Sequence, residues 1–431
     1  MARRKVDVLT LGCSKNLVDS ERLLSMFSIA GFEVFHEPEK LHGDIAVVNT
    51  CGFIGDAKEE SINTILELVE AKKRGDISSL YVMGCLSQRY KAELESEIPE
   101  VDEWYGKFNW DKLVTNLSKK HPGAASYDRV ITTPRHHAYI KIAEGCNRFC
   151  SFCAIPLITG RFTSRTIEDI EDEVKTLVAN GVKEFNVIAQ DLSSYGTDLY
   201  GEPRLAELVD RLAAIEGVHW IRLHYAYPAQ FPMDALDVMA RHDNVCSYLD
   251  IALQHINDKV LSNMRRHITG QQTRELLAEI RRRVPGIHIR TTLMVGFPGE
   301  GEKEFDELVE FVKEQRFERM GAFAYCEEDD TFGAKNFKDE IPEYVKQDRL
   351  NKLMAVQADI AQELNEQKIG SRYEVIIDRE DADYYVGRTQ WDSPEVDPEV
   401  LIEKTVKLEK GKFYNVEITG VQFYDLLGKV L

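Results

Sequence analysis

YIKIAEGCNRFCSFCAIP, residues 139–156, runs from an apolar strand pattern straight into three cysteines. Cys146, Cys150 and Cys153 are separated by three residues and then two. A cubic iron–sulfur cluster normally takes four thiolates, and a structural zinc ion also takes four ligands. Three thiols therefore leave one corner for something else. Tyr139 to Ile142 reads as a strand, and in a parallel barrel the loops that follow strands form the reactive face. The cysteines are thus placed in a βα loop rather than along a helix. A zinc ribbon would need a second cysteine pair at similar spacing, and none follows.

Working outward, strand patterns recur at 138–142, 184–188, 220–224, 248–253, 288–295 and 320–325, with helical patterns between them. Six βα repeats predict an open, partial version of a (β/α) barrel over residues 135–365. It is expected to close with a long amphipathic helix from about residue 343. There Leu350, Leu353, Val356, Ile360 and Leu364 keep a three-to-four spacing. Upstream, residues 1–130 hold strand patterns at 6–11, 45–49 and 80–83 with helices between them, which predicts a parallel α/β domain. The stretch at 121–137, rich in turn residues, reads as a linker. Downstream, residues 366–431 hold short β-rich runs at 373–377, 384–387 and 413–418. They predict a small antiparallel, OB-like barrel.

The first domain repeats the theme by another route. Its three strands end TLGC, VNTC and VMGC, so Cys13, Cys51 and Cys85 each stand just beyond a strand. In an open parallel sheet the carboxyl ends of the strands lie along one edge, where ligands bind. Three thiols far apart in sequence are thereby predicted to converge. Cys246 and Cys326 are solitary and read as small buried hydrophobes.

Composition narrows the function. Net charge is −19, from 54 Lys and Arg against 73 Asp and Glu. That disfavours a general nucleic-acid binder, which relies on phosphate neutralisation. No apolar run suits a membrane span, and the start carries no apolar signal region. A cytoplasmic location is expected, where clustered cysteines point to metal or redox chemistry.

The CxxxCxxC spacing, with Phe152 before the last cysteine, resembles the radical S-adenosylmethionine (SAM) superfamily. The resemblance implies a [4Fe–4S] cluster on Cys146, Cys150 and Cys153, whose open iron is chelated by SAM, and reductive cleavage to a 5′-deoxyadenosyl radical. It implies that Gln190 and Asp191, at one strand end, take the place of the motif that binds the SAM amino group. In GFPGE, Gly296 and Gly299 read as a close backbone approach to adenine or ribose, and Gln254 reads as a ribose or carboxylate contact. Arg266, just beyond, reads as a surface arginine. The order of a three-cysteine domain, a radical SAM barrel and a TRAM domain resembles the methylthiotransferase family. This implies a second [4Fe–4S] cluster on Cys13, Cys51 and Cys85, where sulfur is methylated before insertion into a C–H bond. A carrier scaffold without radical chemistry is the rival outside this class.

That family has two branches, one acting on tRNA adenosine and one on an aspartate β-carbon of small-subunit ribosomal protein twelve. LGCSKNLVDSE, residues 11–21, and the Ala154-Ile155-Pro156 run resemble the second. It implies that ribosomal protein as partner, free or in the small subunit, with a reductase as electron donor and neither membrane nor nucleic-acid partner. The tRNA branch is the alternative. Independently, residues 365–431 carry nine Lys and Arg against fourteen Asp and Glu, a net of −5. A barrel gripping tRNA should be basic, whereas an acidic one attracts a basic protein. Asp378, Glu380, Asp381 and Asp383, with Glu395, Asp397 and Glu399, are the residues expected to carry that attraction.

Overall fold

Residues Ile45–Thr50, IAVVNT, are all buried, as a central parallel strand covered on both faces requires. Their side chains alternate. Ile45 and Val47 join Val6, Val8, Leu23 and Phe27 on one face. Ala46 and Val48 join Ile65, Leu68, Leu80 and Val82 on the other. In this computed structural model, which describes residues 3–119 and 128–431, the strand is third in the chain. The first sheet holds β1 (Lys5–Thr10), β2 (Glu33–His36), β3 (Ile45–Thr50), β4 (Ser79–Gly84) and β5 (Glu103–Trp104). All are parallel in the order β2-β1-β3-β4-β5. Two strands thus go beyond the three read from sequence. β2 is a short edge strand with little apolar pattern, and β5 has two residues. In this order the chain reverses direction between β1 and β3, the switch point outside which open α/β sheets bind ligands.

The second sheet begins with β6 (His137–Lys141). A two-stranded ribbon follows, β7 (Ala143–Glu144) with β8 (Thr163–Ser164). Then come β9 (Glu184–Ile188), β10 (Trp220–Ala226), β11 (Val245–Ile251), β12 (His288–Val295) and β13 (Arg319–Ala324). The order is β13-β12-β11-β10-β9-β6, parallel throughout and open at both edges. This is the expected six-stranded partial barrel. The helix Glu343–Glu366 packs Leu353 and Ile360 into the barrel core, with Leu350, Val356 and Leu364 partly buried beside them. The linker reading falls partly outside the described residues, at 121–127. Its end enters β6 at His137. Among the described residues, no helix is long and apolar enough to cross a membrane.

A closed barrel ends the chain: β14 (Arg372–Glu380), β15 (Tyr384–Arg388), β16 (Val400–Glu403), β17 (Phe413–Gln422) and β18 (Asp425–Val430), ordered β14-β15-β16-β18-β17. Its pairings are antiparallel except β16 with β18, which is parallel. Residues 388–397 meet the amino ends of the second sheet's strands, opposite the loops that carry Cys146, Cys150 and Cys153. Arg388 donates to Glu184 at the start of β9 (2.7 Å), and Arg222 of β10 reaches the same carboxylate. Arg290 pairs with Asp397 (2.7 Å), which also accepts from the Tyr248 hydroxyl (2.8 Å).

This docking corrects the reading of the acidic residues. Asp378 is held by Arg388 (2.6 Å) and His136 (2.7 Å), and Asp397 is buried. Both serve the barrel rather than a partner, because buried carboxylates require paired charges. Glu399 pairs with Arg379, Glu380 with Lys404, and Glu395 lies 3.4 Å from the Tyr139 hydroxyl. Asp381 and Asp383 remain exposed.

Candidate active site

Each cysteine of the first sheet follows a strand, and glycines let the three turns touch. Gly12 and Gly84, the residues before Cys13 and Cys85, have φ of +96° and +104°, where glycine carries no steric penalty. A methyl at Gly12 would stand 2.7 Å from Cβ of Cys51, and one at Gly84 would stand 2.5 Å from the Thr50 backbone. Gly52 lies just as close to Cys85 and Leu86. Cys51 is therefore wedged against the turn of Cys13 and followed by a residue wedged against the turn of Cys85.

Asn16 ties these ends together. Its amide donates to the carbonyls of Leu11 (2.9 Å) and Thr50 (3.0 Å). Its Oδ1 accepts from Lys107 (3.2 Å) and lies 3.6 Å from the Cys85 sulfur. Burial pushes the Cys85 thiol up to about 12 and raises Cys51 as well; the neighbouring cysteines add to both shifts. The close contacts at Gly12, Gly52 and Gly84 bring the three cysteine-bearing turns together.

The other three cysteines come from one loop. Cys153 N–H donates to the Cys150 carbonyl (3.0 Å), and Cys146 N–H to that of Gly160 (3.3 Å). Ser151 pins the loop to the helix Asp258–Asn263 and its end, through Asn263 (2.7 Å) and Met264 (3.0 Å). Phe152 packs on Phe297, their ring centres 6.3 Å apart. Burial raises the Cys146 thiol to about 12 and raises Cys153 further, with Cys150 adding to both. Arg266 donates to the Cys150 sulfur (3.3 Å) and stacks over Tyr227, 4.1 Å from its ring centre. It is 3% exposed. The expectation of a surface arginine is corrected, because the fold folds its guanidinium under the loop. Arg148 covers the same ring at 4.3 Å.

Among the described residues, no three His, Cys, Asp or Glu side chains close on a point tightly enough for a single metal ion. Each triad is made of thiols alone, the ligands that a four-iron cube takes. The fit to SAM rests on orphaned acceptors. Oε1 of Gln190 and Oε1 of Gln254 are buried without partners, a costly state for polar atoms. Gln254 also holds a strained φ of +70°. Both stand at carboxyl ends of barrel strands.

Asp191 is differently engaged. Its carboxylate accepts from Ser193 N–H (2.9 Å), Ser194 (2.5 Å) and Arg148 (2.6 Å). At Gly296 and Gly299 the close approach is to protein: a methyl would meet Lys346 at 2.4 Å or Asn263 at 2.6 Å. A cleft of about 690 Å³ opens at Asn147 and Arg148, but none of the cysteines lines it.

Cys246 is 1% exposed, as expected. Cys326 is exposed, contrary to the sequence reading. It lies past the end of β13, outside the alternation that would have turned it inward, 3.8 Å from the methyl position of Gly55.

A line of charge, buried as far as Lys141, runs from the strand-end triad to Glu144, two residues before Cys146. Lys107, beside Asn16 and Cys85, donates to Asp19 (2.7 Å). Asp19 also takes Lys141 of β6, and Lys141 reaches Glu144. Glu144 accepts from Gln190 (3.1 Å). Burial alone would raise the Asp19 carboxyl, but the two lysines hold it below its usual range. Sequence reading missed Asn16, Asp19, Lys107, Lys141 and Glu144. The available signal was polar residues on the inward face of the helix Ser14–Ile29, where Asn16, Asp19, Ser20 and Glu21 are buried.

The sequence matches the radical SAM superfamily over residues 140–312, and the TRAM domain over 369–431. Residues 5–106 match a group described as uncharacterized protein family UPF0004. Its fold resembles that of the radical SAM methyltransferase TsrM from Kitasatospora setae, with a TM-score of 0.57 at 15% identity, over 88% of this chain and 79% of that one. Fold and cysteine loop together define a radical SAM enzyme, whose cofactors are SAM and an iron–sulfur cluster. The chain is 59% identical to the ribosomal protein uS12 methylthiotransferase RimO of Parabacteroides distasonis and 58% identical to that of Phocaeicola vulgatus, with all of each chain covered. It belongs to the RimO family of methylthiotransferases.

Proposed function

We propose how the chain, a radical SAM methylthiotransferase of ribosomal protein uS12, divides its reaction among three units, residues 1–130, 135–365 and 366–431. Cys146, Cys150 and Cys153 hold the cluster that binds SAM, and Cys13, Cys51 and Cys85 hold a second one where the methylthio group is assembled. When bound, these groups supply radical chemistry at the aspartate β-carbon and the sulfur to be inserted. A reductase supplies the electrons.

The chain's own residues set the geometry. Gln190 offers an acceptor for the SAM amino group, and Gln254 one for a ribose hydroxyl. Asp191 fixes Arg148, and through it the loop of Cys146 and Cys150. Gly296 and Gly299 let the last SAM-side loop lie close to its neighbours. Arg266 places a positive charge against the Cys150 sulfur, which favours the thiolate that a metal requires. Burial raises the thiols of Cys51, Cys85, Cys146 and Cys153, so cluster assembly releases protons at both triads.

The observation that carries the two-cluster reading is the buried line from Cys85 and Asn16 through Lys107, Asp19, Lys141 and Glu144 to Gln190. Buried ions are expensive unless paired, so this line ties the domain of the strand-end triad to the start of the loop that carries the other. The negative C-terminal barrel supports a basic protein substrate over tRNA. Mass spectrometry of uS12 from cells with and without the gene tests the reading. A gain of one methylthio group in place of hydrogen should depend on the gene, and its absence in both would refute the assignment.

A further inference from the structure

In the proposed reaction an aspartate substrate must bring a carboxylate close to two clusters held by thiolates. Without a cation that approach is repulsive. The cations around the two triads are largely committed. Lys107 and Lys141 share Asp19, Arg148 holds Asp191, and Arg266 sits on the Cys150 sulfur. Lys15 differs. It stands two residues past Cys13 in the first turn of the helix Ser14–Ile29, half-buried, and among the described residues no carboxylate forms an ion pair with it, although the buried Asp250, which accepts from Tyr225 N–H (3.3 Å), feels its charge. Its ammonium lies over the ring of Tyr225, 3.1 Å from the centre.

Tyr225 is itself placed unusually. It has φ +66°, a conformation bulky side chains rarely adopt. The register between β10 and β11 shifts between Leu223 and Ala226. Bulges of this kind re-aim a side chain beside an active site, and strain of this kind persists where the surroundings enforce it. Here the local break turns an aromatic face towards the cysteine-bearing end of the first sheet. A cation over an aromatic face keeps its remaining donors for another partner.

We propose that Lys15, steadied by Tyr225, binds the side-chain carboxylate of the substrate aspartate and so sets its β-carbon between the two triads. The assignment rests on the uS12 reading above and adds a specificity-determining residue to it. Lys15 comes from the sulfur-side domain and Tyr225 from the barrel, so the site is complete only where the two domains meet. The ammonium distinguishes aspartate from asparagine by charge.

The test uses anaerobically reconstituted full-length enzyme and two synthetic uS12 peptides, one with the target aspartate and one with asparagine in its place. Binding is measured by fluorescence anisotropy. Wild type should prefer the aspartate peptide by about tenfold to a hundredfold, the range for a hydrogen bond to a charged group. Lys15→Met, matched to wild type in iron and sulfide content, should bind both peptides equally. Lys15→Arg should regain part of the preference. A Lys15→Met enzyme that keeps the full preference overturns the Lys15 assignment and leaves the uS12 reading standing. A wild-type enzyme with no preference for aspartate, and no modification of uS12, overturns both.

Discussion

The two cysteine triads are assembled by opposite means. Cys146, Cys150 and Cys153 occupy a single loop, and tight local hydrogen bonds set their spacing. Cys13, Cys51 and Cys85 come from three strand ends, 38 and then 34 residues apart. Only the parallel order of the sheet and close contacts at Gly12, Gly52 and Gly84 bring them together. A local site depends on its loop, whereas a topological site depends on the whole sheet. The first should tolerate damage to the distant fold, and the second should not.

The sharpest way to break the comparison is to remove the thiols. Alanine at Cys146, Cys150 or Cys153 should abolish SAM cleavage. Alanine at Cys13, Cys51 or Cys85 should spare cleavage and stop methylthio transfer. Assays of 5′-deoxyadenosine and of modified uS12 separate these outcomes. Loss of cleavage from the second group, in folded protein, would contradict the division of labour.

A smaller but still large effect is expected at the link. Asp19→Asn leaves Lys107 and Lys141 buried without their shared carboxylate, a change worth about 3–5 kcal/mol. Chemical denaturation should register it, and sulfur insertion should fall more than SAM cleavage. An equal fall in both would show that the link does not align the triads.

Next in size, Gly12→Ala forces a methyl onto Cys51 at a φ that alanine resists, for about 1–3 kcal/mol. Iron bound by the strand-end triad should drop while SAM cleavage persists. The matching change at Gly145, where a methyl would lie 2.1 Å from the Arg161 carbonyl, should reverse the pattern.

The mildest effect concerns the far end of the barrel. Burial opposes ionisation of Glu184, Asp378 and Asp392, but Arg388 and Arg222, Arg388 and His136, and Arg319 and Lys368 respectively hold them below the usual carboxylate range, Asp392 to about 2. A lowered pKa adds stability above the ordinary value of about 4 that is lost as pH falls through the folded value. The contact between the barrel and the C-terminal domain should therefore persist through pH 4 and weaken towards pH 2. Thermal unfolding of the cluster-free protein across that range checks it, because acid would also protonate the cluster-holding thiolates.

Much of this was legible in the sequence because it is written in short-range signals. The CxxxCxxC loop is local, and strand-cysteine endings need only the rule that parallel strands align their carboxyl ends. The long helix announced itself through Leu353 and Ile360. The rest depends on contacts across hundreds of residues. Nothing near Arg266 signals that it folds under Cys150, 116 residues away. Asp378 and Asp397 look like surface charge until Arg388, His136 and Arg290 are seen beside them. Cys326 follows an apolar strand pattern, yet the strand ends just before it. β16 and β18 escaped notice because their pairing partners, not their own composition, make them strands.

The central claim is that the strand-end triad and the loop triad each hold a cube. The direct measurement is iron content with Mössbauer spectra on anaerobically reconstituted wild type and on two triple-alanine variants, one per triad. The account predicts about eight irons in wild type and about four in each variant, four per cube. About four irons in wild type, unchanged when the strand-end cysteines are removed, would contradict it.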